Sequence, residues 1–229
     1  MFSVFQLWHI SESPRIIVRN QSVQVNINLS DNKLTNIPSY NITNVEALDL
    51  SNNILSVAEA DDLLNIMGAV KCLNFSNNNI ANITAFQLLP TENSGTIPLN
   101  QLDLSHNLLT SISDFVFINL VNLHYLDLSY NQFTEIDNKT NHAIGSLKAL
   151  NHLRLSHCHL SSLPEDLMQS FDKLTSLDLS GNYFRQVDSS LRLAGTLTNL
   201  ILDNNLIETL NHDSLHGLDK LQTLSIRKI

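Results

Sequence analysis

Cysteine is scarce in this chain of 229 residues, which contains only Cys72 and Cys158. They fall in the third and the sixth of the repeats described below, so three strand spacings, or roughly 14 Å, separate them. A disulfide requires Cα atoms within about 7 Å of each other. We therefore expect both cysteines to stay unpaired, and the cysteine count gives no indication of an oxidising compartment.

Charge is also scarce, and basic charge most of all. Charged residues make up 15% of the chain, and its 13 Lys and Arg against 22 Asp and Glu give a net charge of −9. Nucleic-acid binding requires clustered basic residues. The composition therefore predicts no nucleic-acid partner.

Long apolar runs are missing as well. No stretch reaches the roughly 20 residues that a transmembrane helix needs, so the sequence predicts no membrane span in this chain. The apolar start of the chain lacks a basic residue and soon meets Glu12, so it does not resemble a signal peptide. Phosphate-binding loops, nucleophile motifs and metal-ligand spacings are absent too. We expect a protein that is not an enzyme and that holds no cofactor or metal.

The sequence does contain a repeated apolar phrase. The segment from Leu123 to Ile136 reads LHYLDLSYNQFTEI, and similar phrases begin at Leu99, Leu174 and Leu197. In each phrase one polar residue separates two leucines, and these two leucines point to the same face of a short strand. One such unit cannot bury its apolar face alone, so the units are expected to stack on one another.

A marker residue, usually asparagine, follows each strand phrase at intervals of 21 to 29 residues. The markers are Asn32, Asn53, Asn78, Asn107, Asn131, Cys158, Asn182 and Asn205. We expect each asparagine to be buried at the turn, where its amide exchanges hydrogen bonds with backbone of its own and the adjacent repeat. Cys158 would be a small buried donor at this position, whereas Cys72 would face outward from the sheet.

The markers predict one elongated array over residues 21–229, with about nine units of which the last is incomplete. Residues 1–20 do not fit the repeat, and segment 15–19 is a candidate strand that would cover the open end. The turn-rich stretch 90–98 is expected on the side away from the strands. Apolar pairs spaced three apart should pack inward there as short helical turns. These pairs are Phe117 with Leu120, Met168 with Phe171, and Leu215 with Leu218.

The units resemble the roughly 24-residue "typical" class of leucine-rich repeats, from about Val23 to the end of the chain. The resemblance implies an α/β repeat fold: a curved solenoid with a concave parallel β-sheet and with loops and short helical turns on its convex side. That class is common in animal extracellular and receptor proteins such as the Toll, Slit and chaoptin families. Their caps are usually rich in cysteine and neither end of this chain is, so we expect a fragment of a longer protein.

Binding is expected on the concave sheet where side chains depart from the common Leu-Asp-Leu-Ser form. Repeats four to six place Tyr, His and Arg on or beside this sheet, and Tyr and Arg are enriched at binding hot spots. Ordinary surface variation is the alternative explanation. A column of serines, from Ser30 to Ser180, is expected on the same face. The predicted partner-binding residues are Gln101, Asp103, His106, Tyr125, Asp127, Tyr130, His152, Arg154, His157 and Asp178.

Sequons for N-glycosylation provide a signal for the compartment. Two of them, Asn28 and Asn74, lie in predicted strands, so glycans there would shield the N-terminal half of the sheet and leave repeats four to eight for binding. The candidate glycosylation sites are Asn20, Asn28, Asn41, Asn74, Asn82 and Asn138.

Together these features predict a non-enzymatic recognition module that binds a protein ligand on its concave face. It would be part of a secreted protein or of a receptor or adhesion ectodomain, and the resemblance implies innate immunity, cell adhesion or guidance. A homodimer is left open. The alternative is a cytoplasmic leucine-rich repeat scaffold or regulatory subunit.

Overall fold

Ten short strands form one parallel sheet in which each strand pairs with the next in chain order. The computed structural model describes residues 3–6, 25–37, 45–56, 70–83, 97–210 and 213–227. A parallel sheet whose strands follow one another in chain order is the architecture of a solenoid, so the predicted fold class is confirmed. The strands are β1 (Ser3–Gln6), β2 (Val25–Asn28), β3 (Val45–Asp49), β4 (Cys72–Asn74), β5 (Gln101–Asp103), β6 (Tyr125–Asp127), β7 (His152–Arg154), β8 (Ser176–Asp178), β9 (Asn199–Ile201) and β10 (Thr223–Ser225).

The register of the sheet follows the leucines. Leu102 at the centre of β5 pairs with Leu126 of β6, which pairs with Leu153 of β7. All three are fully buried, as is Leu128 just after β6. The polar residues between and beside them face the other side of the sheet, because side chains alternate along a strand. Each repeat thus contributes one layer to a continuous core.

The side away from the sheet carries turns and short helices. Helix α1 (Asn138–Gly145) begins where the Asp137 side chain accepts a hydrogen bond from Thr140 N at 2.8 Å, which caps the first turn. Two 3₁₀ helices follow, at Met168–Ser170 and Ser189–Leu193.

The apolar pairs on that side behave as predicted in two of three cases. Phe117, Leu120, Met168 and Phe171 are buried. Leu215 is 38% exposed, so its predicted inward packing is wrong. Among the described residues, this outer segment has a neighbouring repeat on one side only, which leaves Leu215 without a second layer to pack against.

The two ends of the sheet differ from its middle. At one end, β1 pairs with β2, so a strand does add to the open end, but it is formed by Ser3–Gln6. Segment 15–19, the boundary near residue 20 and most of stretch 90–98 lie outside the described residues. At the other end Leu224, the central residue of β10, is only partly buried, whereas its counterpart Leu200 is fully buried.

Candidate interaction surface

The marker asparagines form a hydrogen-bonded ladder, here called the asparagine ladder. The amide of Asn131 donates to Leu128 O of its own repeat and to Leu104 O of the preceding one, both at 2.9 Å. Its Oδ1 accepts from Leu109 N at 3.0 Å. Asn53, Asn78, Asn107, Asn182 and Asn205 make equivalent bonds. The ladder satisfies backbone groups where the chain leaves the sheet, and so it fixes the position of the exposed residues on either side of each marker.

Cys158 occupies one position of the asparagine ladder. Its Sγ lies 3.2 Å from Leu128 O, and burial raises the pKa of the thiol to about 12. The group therefore stays protonated and donates, as predicted for a small buried donor. Cys72 lies half-buried on the sheet face, and both cysteines are free.

The residues that follow each strand turn inward. Ser129 is 2% exposed, and its backbone N donates to Asp127 Oδ1 at 2.9 Å. Asp49, Asp103 and Asp178 hold the amide two residues later in the same way. The prediction that the serines form a column on the binding face is wrong for most of them, because this side-chain cap starts the turn immediately after the strand. The buried serines are Ser30, Ser51, Ser76, Ser105, Ser129 and Ser156.

Arg154 joins two buried carboxylates on neighbouring strands. Its Nη1 lies 3.2 Å from Asp127 Oδ2, and its Nε lies 3.4 Å from Asp178 Oδ2. Tyr125 donates its hydroxyl to the same Asp127 oxygen at 3.1 Å. Burial alone would lower the pKa of Arg154, but the contacts with Tyr125 and the two carboxylates outweigh burial and raise it. The guanidinium is therefore a fixed cation that bridges both carboxylates and offsets part of their negative charge.

Asp103 stands at the edge of this charged cluster. Burial raises its pKa, and the negative charge of Asp127 on the next strand adds to the effect, while hydrogen bonds from Ser105 oppose it. Its ionised form is thus less favourable in the folded protein than in the unfolded chain.

One residue per repeat, just before the marker, has a left-handed backbone; we call this set the left-handed column. Its φ angles lie between 52° and 66°. In these repeats each backbone N donates to a carbonyl of the following repeat, as in Tyr130 N to Ser156 O at 2.8 Å. The left-handed column consists of Asp31, Asn52, Asn77, His106, Tyr130, His157, Gly181 and Asn204.

Three rings of the left-handed column stack face to face. The ring centroids of His106 and Tyr130 are 4.0 Å apart at an interplanar angle of 10°, and those of Tyr130 and His157 are 4.3 Å apart at 12°. The ring of His157 lies over Gly181, where a Cβ would come within 2.3–2.6 Å of its ring atoms. Gly181 therefore leaves the space that the third ring occupies. Because the ring faces cover one another, their polar edges remain for contact with other molecules.

A second exposed set lies two residues further on in each repeat, beyond the marker, and we call it the outer column. It is largely apolar: Leu108, Tyr183 and Leu206 are each between 41% and 49% exposed. His159 and Tyr183 of this column have ring centroids 5.8 Å apart. The outer column consists of Lys33, Ile54, Asn79, Leu108, Gln132, His159, Tyr183 and Leu206.

The structure divides the ten predicted partner-binding residues into three groups. Gln101, Asp103, Tyr125, His152 and Arg154 lie on strands β5 to β7 with exposed or partly exposed side chains, and we call them the recognition face. His106, Tyr130 and His157 form the ring stack beyond the strand ends. Asp127 and Asp178 are 4% and 8% exposed, so they support Arg154 and offer little surface to a partner.

The recognition face is an open groove. A depression of about 520 Å³ is lined by Gln101, Tyr125, His152 and the residues that precede them, and a second of about 530 Å³ extends from there across to β2. The rings of Tyr125 and His152 are tilted against each other with centroids 6.4 Å apart. The groove therefore presents aromatic contact area and amide groups, and Arg154 lies two residues beyond His152 on the same strand.

Sequence reasoning missed the stack, Gly181 and the outer column. A signal for the stack was present, since three successive repeats carry His, Tyr and His at the position where repeats one to three have Asp or Asn, and Tyr is not among the residues enriched in left-handed backbone. Nothing in the repeat pattern indicated that rings from three repeats would stack face to face.

The sequons lie in different environments. Asn82 and Asn138 are exposed, and Asn28 and Asn74 are partly exposed on the sheet face with Oδ1 bound to the backbone N of the serine two residues later. Asn20 and Asn41 lie outside the described residues. Within the part of the chain that the structure describes, no group of three or more His, Cys, Asp or Glu is arranged to hold a metal. In that same part, no helix has the length and apolarity to cross a membrane.

A parallel sheet of consecutive strands, a buried asparagine ladder and an open groove define a leucine-rich repeat solenoid. The family model described as "Leucine rich repeat" matches residues 97–160, and a second of the same description matches residues 173–193. The chain belongs to the leucine-rich repeat proteins.

Among curated relatives, Chaoptin of Drosophila melanogaster is 30% identical over 203 residues, which is 80% of this chain and 15% of Chaoptin. Tsukushi of Mus musculus is 31% identical over 89% of this chain and 50% of that protein. The chain thus spans half or less of the length of these relatives. The solved structure of human 5T4 (Wnt-activated inhibitory factor 1, trophoblast glycoprotein) is 25% identical with a TM-score of 0.69, over 87% of this chain and 76% of that one.

Proposed function

We propose that this protein is a non-enzymatic recognition module that binds a protein ligand through the recognition face, as part of a secreted or cell-surface protein. The observation that carries the proposal is the placement of Tyr125 and His152 in an open groove, with Arg154 beside them on β7. Large amphipathic rings next to a fixed guanidinium are the composition of binding hot spots.

The rigidity of the groove supports the same function. Arg154 is held by carboxylates on both neighbouring strands, and the asparagine ladder fixes the backbone beneath it. A surface that is ordered before binding loses little conformational entropy on association. The sheet therefore acts as a preformed template rather than as a segment that folds on contact.

The relatives favour an extracellular setting. Chaoptin bears the name of one of the families whose repeats this sequence resembles, Tsukushi is another animal relative, and the solved relative 5T4 is, by its name, a glycoprotein. Recognition at a cell surface, in adhesion or innate immunity, is the setting that these resemblances suggest for this chain.

Binding is tested by presenting the chain to a panel of purified cell-surface and secreted proteins and measuring affinity by surface plasmon resonance. For a ligand so identified, we expect Tyr125→Ser combined with His152→Ser to weaken binding at least about tenfold. Gln169→Ala, an exposed change on the opposite side of the solenoid, is the matched control. Equal affinity for the double variant and the control would refute the recognition face as the site.

The compartment is tested separately by expression behind a secretory leader. We expect a glycan mass that an endoglycosidase removes and that falls stepwise in Asn82→Gln and Asn138→Gln, because both side chains are exposed. A secreted, folded chain without glycan would favour the cytoplasmic scaffold instead.

A further inference from the structure

On strands β6 to β8 an arginine bridges two carboxylates. Asp127 pairs in register with Arg154, and Arg154 pairs with Asp178. The two aspartates are therefore two strand separations apart, which is roughly 10 Å between their Cα atoms. The guanidinium contacts one carboxylate at 3.2 Å and the other at 3.4 Å. This sheet thus holds an arginine between two aspartates at that spacing.

The same spacing of carboxylates recurs on strands β3 to β5 without the cation. Asp49 pairs in register with Asn74, and Asn74 pairs with Asp103. In all three residues Oδ1 accepts from the backbone N of the serine two residues later, at 2.9 Å. The short side chain of Asn74 stands where the other half of the sheet has Arg154, so two carboxylates flank a neutral residue.

Neither carboxylate of this second pair has a cation of its own. The ion pairs among the described residues do not include Asp49 or Asp103. Burial raises the pKa of Asp103, and the attraction of Arg154 is the smallest of the influences on that pKa. A partly buried carboxylate without a counter-charge is unfavourable. A partner that supplies the cation removes this penalty.

A depression lies over the second pair of carboxylates. It is the one of about 530 Å³ that extends from the recognition face to β2, and Asp49, Asn74 and Asp103 all line it. The two aspartates are the charged residues of its lining. Ala47 and Cys72 line it as well, and their small side chains leave room for the aliphatic stem of a longer residue.

The depression also contains a buried acceptor without a partner. Asn26 of β2 lies beside Ala47 of β3 and lines the same depression. Its Oδ1 is buried and accepts no hydrogen bond from the described part of the chain. Buried acceptors of native proteins are nearly always satisfied by the chain, by water or by a ligand. The lining is therefore suited to a molecule that brings hydrogen-bond donors.

We propose that this depression binds an arginine side chain of the protein ligand, with the guanidinium between Asp49 and Asp103 in the manner of Arg154. The planar guanidinium carries donors on opposite sides and so bridges two carboxylates, whereas the ammonium of lysine is a point charge. The net charge of −9 favours the approach of a cationic segment. The inference rests on the proposed function in assigning the arginine to a protein ligand, and it extends the contact area from the recognition face to β3.

The test is an NMR titration of the isotope-labelled chain with the peptide acetyl-Gly-Arg-Gly-amide. The backbone amides of Ser51 and Ser105 report on binding, because they donate to the two carboxylates. We expect both signals to shift and to saturate, with a dissociation constant on the order of millimolar. The same peptide with citrulline, which lacks the charge, should not saturate them. The lysine peptide should bind at least about threefold more weakly than the arginine peptide.

A charge-removing variant of the chain tests the two carboxylates. Asp49→Asn combined with Asp103→Asn keeps the Oδ1 acceptors, as Asn74 does on β4. We expect the dissociation constant of the arginine peptide to rise at least about tenfold. Glu135→Gln combined with Glu165→Gln is the matched control, since it removes two charges from exposed side chains that do not line the depression. The control should bind the peptide like the wild type.

A second variant supplies the cation from within the chain. Asn74→Arg places an arginine at the position that corresponds to Arg154. It should therefore exclude the arginine peptide, whereas Asn74→Gln, which adds no charge, should still bind it. Equal affinity for the arginine and citrulline peptides would overturn the proposal. Unchanged affinity in the double aspartate variant or in Asn74→Arg would also overturn it, and a lysine peptide that binds as tightly would overturn the bridging geometry.

Failure of the arginine site is distinguishable from failure of the recognition face. The peptide titration requires no protein ligand, so a negative result there overturns the arginine site whatever the recognition face binds. For an identified ligand, an affinity that falls in Tyr125→Ser with His152→Ser but not in Asp49→Asn with Asp103→Asn would refute the arginine site. The proposed function would then stand without it.

Discussion

Repeats one to three and repeats four to six share a backbone and differ in the side chains placed on it. The φ angles of Asn52 and Asn77 are 54° and 53°, and those of His106 and Tyr130 are 53° and 56°. The central leucines of the strands keep one register throughout. In the first region the left-handed column carries only Asp and Asn, whereas in the second it carries rings.

This difference affects the conformational energy of the left-handed positions. A left-handed conformation costs roughly 1–2 kcal/mol for an ordinary side chain such as Tyr130, whereas Asp, Asn and His are enriched in it. Stacking of aromatic rings returns about 0.5–1.5 kcal/mol per pair. Repeats four to six therefore gain little stability from their rings, and strained positions of this kind are concentrated at functional sites. The first region thus keeps Asp and Asn at these positions, whereas the second carries rings that belong to the predicted partner-binding residues.

The largest expected effect concerns the leucine core, which both regions share. Leu48→Ala in repeat two and Leu126→Ala in repeat five each remove a side chain that is at most 1% exposed. We expect each to lower the free energy of unfolding by about 2–5 kcal/mol, because both leave a cavity in the same layer of the core. Urea unfolding followed by circular dichroism measures both. A loss confined to one region would show that the two do not belong to one core.

A smaller effect concerns the ion pairs of Arg154, which the first region lacks. Arg154→Ala leaves Asp127 and Asp178 without their cation, whereas the same column of the first region holds Asn28, Asp49 and Asn74 without an arginine. We expect a loss of about 1–3 kcal/mol in urea unfolding. This is less than the roughly 3–5 kcal/mol for a fully buried pair, because 45% of the Arg154 side chain is exposed.

The control for this change removes the two carboxylate charges that Arg154 bridges. Asp127→Asn combined with Asp178→Asn keeps the Oδ1 acceptors for the backbone N of Ser129 and Ser180. In that background Arg154→Ala should cost much less. An equal cost in both backgrounds would mean that Arg154 stabilises the sheet through its aliphatic stem and not through its charge.

The sequence predicted the scaffold well because the scaffold depends on spacing. In each repeat two leucines are two residues apart, and an asparagine follows three residues after the second one. This spacing fixes the strand, the turn and the ladder. The residue between the two apolar positions of each strand phrase, from Asn28 in β2 to Ser225 in β10, pairs with its equivalent on the next strand.

The surface depends on contacts between repeats, which spacing alone does not give. Arg154 stands at a strand position where the two neighbouring strands carry Asp127 and Asp178. It therefore bridges two carboxylates. His157 completes the ring stack because the next repeat has Gly181, which leaves room for it. Both features require knowledge of which side chain stands beside which in the folded sheet.

The smallest expected effect concerns Asp103, which lies at the boundary between the two regions. Burial raises its pKa, so its ionised form destabilises the folded protein at neutral pH. Asn28 and Asn74 in the same column accept the bond from the serine amide just as Asp103 does. Asp103→Asn should therefore stabilise the protein by a few tenths to about 1 kcal/mol near pH 7, since it keeps the acceptor and removes the charge.

The sign of the pH dependence makes this prediction specific. A carboxyl whose pKa is higher in the folded state binds its proton more tightly there, so its penalty exists above the folded pKa and disappears below the unfolded value of 3.8. The advantage of Asp103→Asn should therefore shrink as the pH falls from 7 towards 3.8. Urea midpoints of variant and wild type across that range measure it. An advantage that stays constant with pH would mean that packing, and not the buried charge, separates Asp103 from the asparagines of the first region.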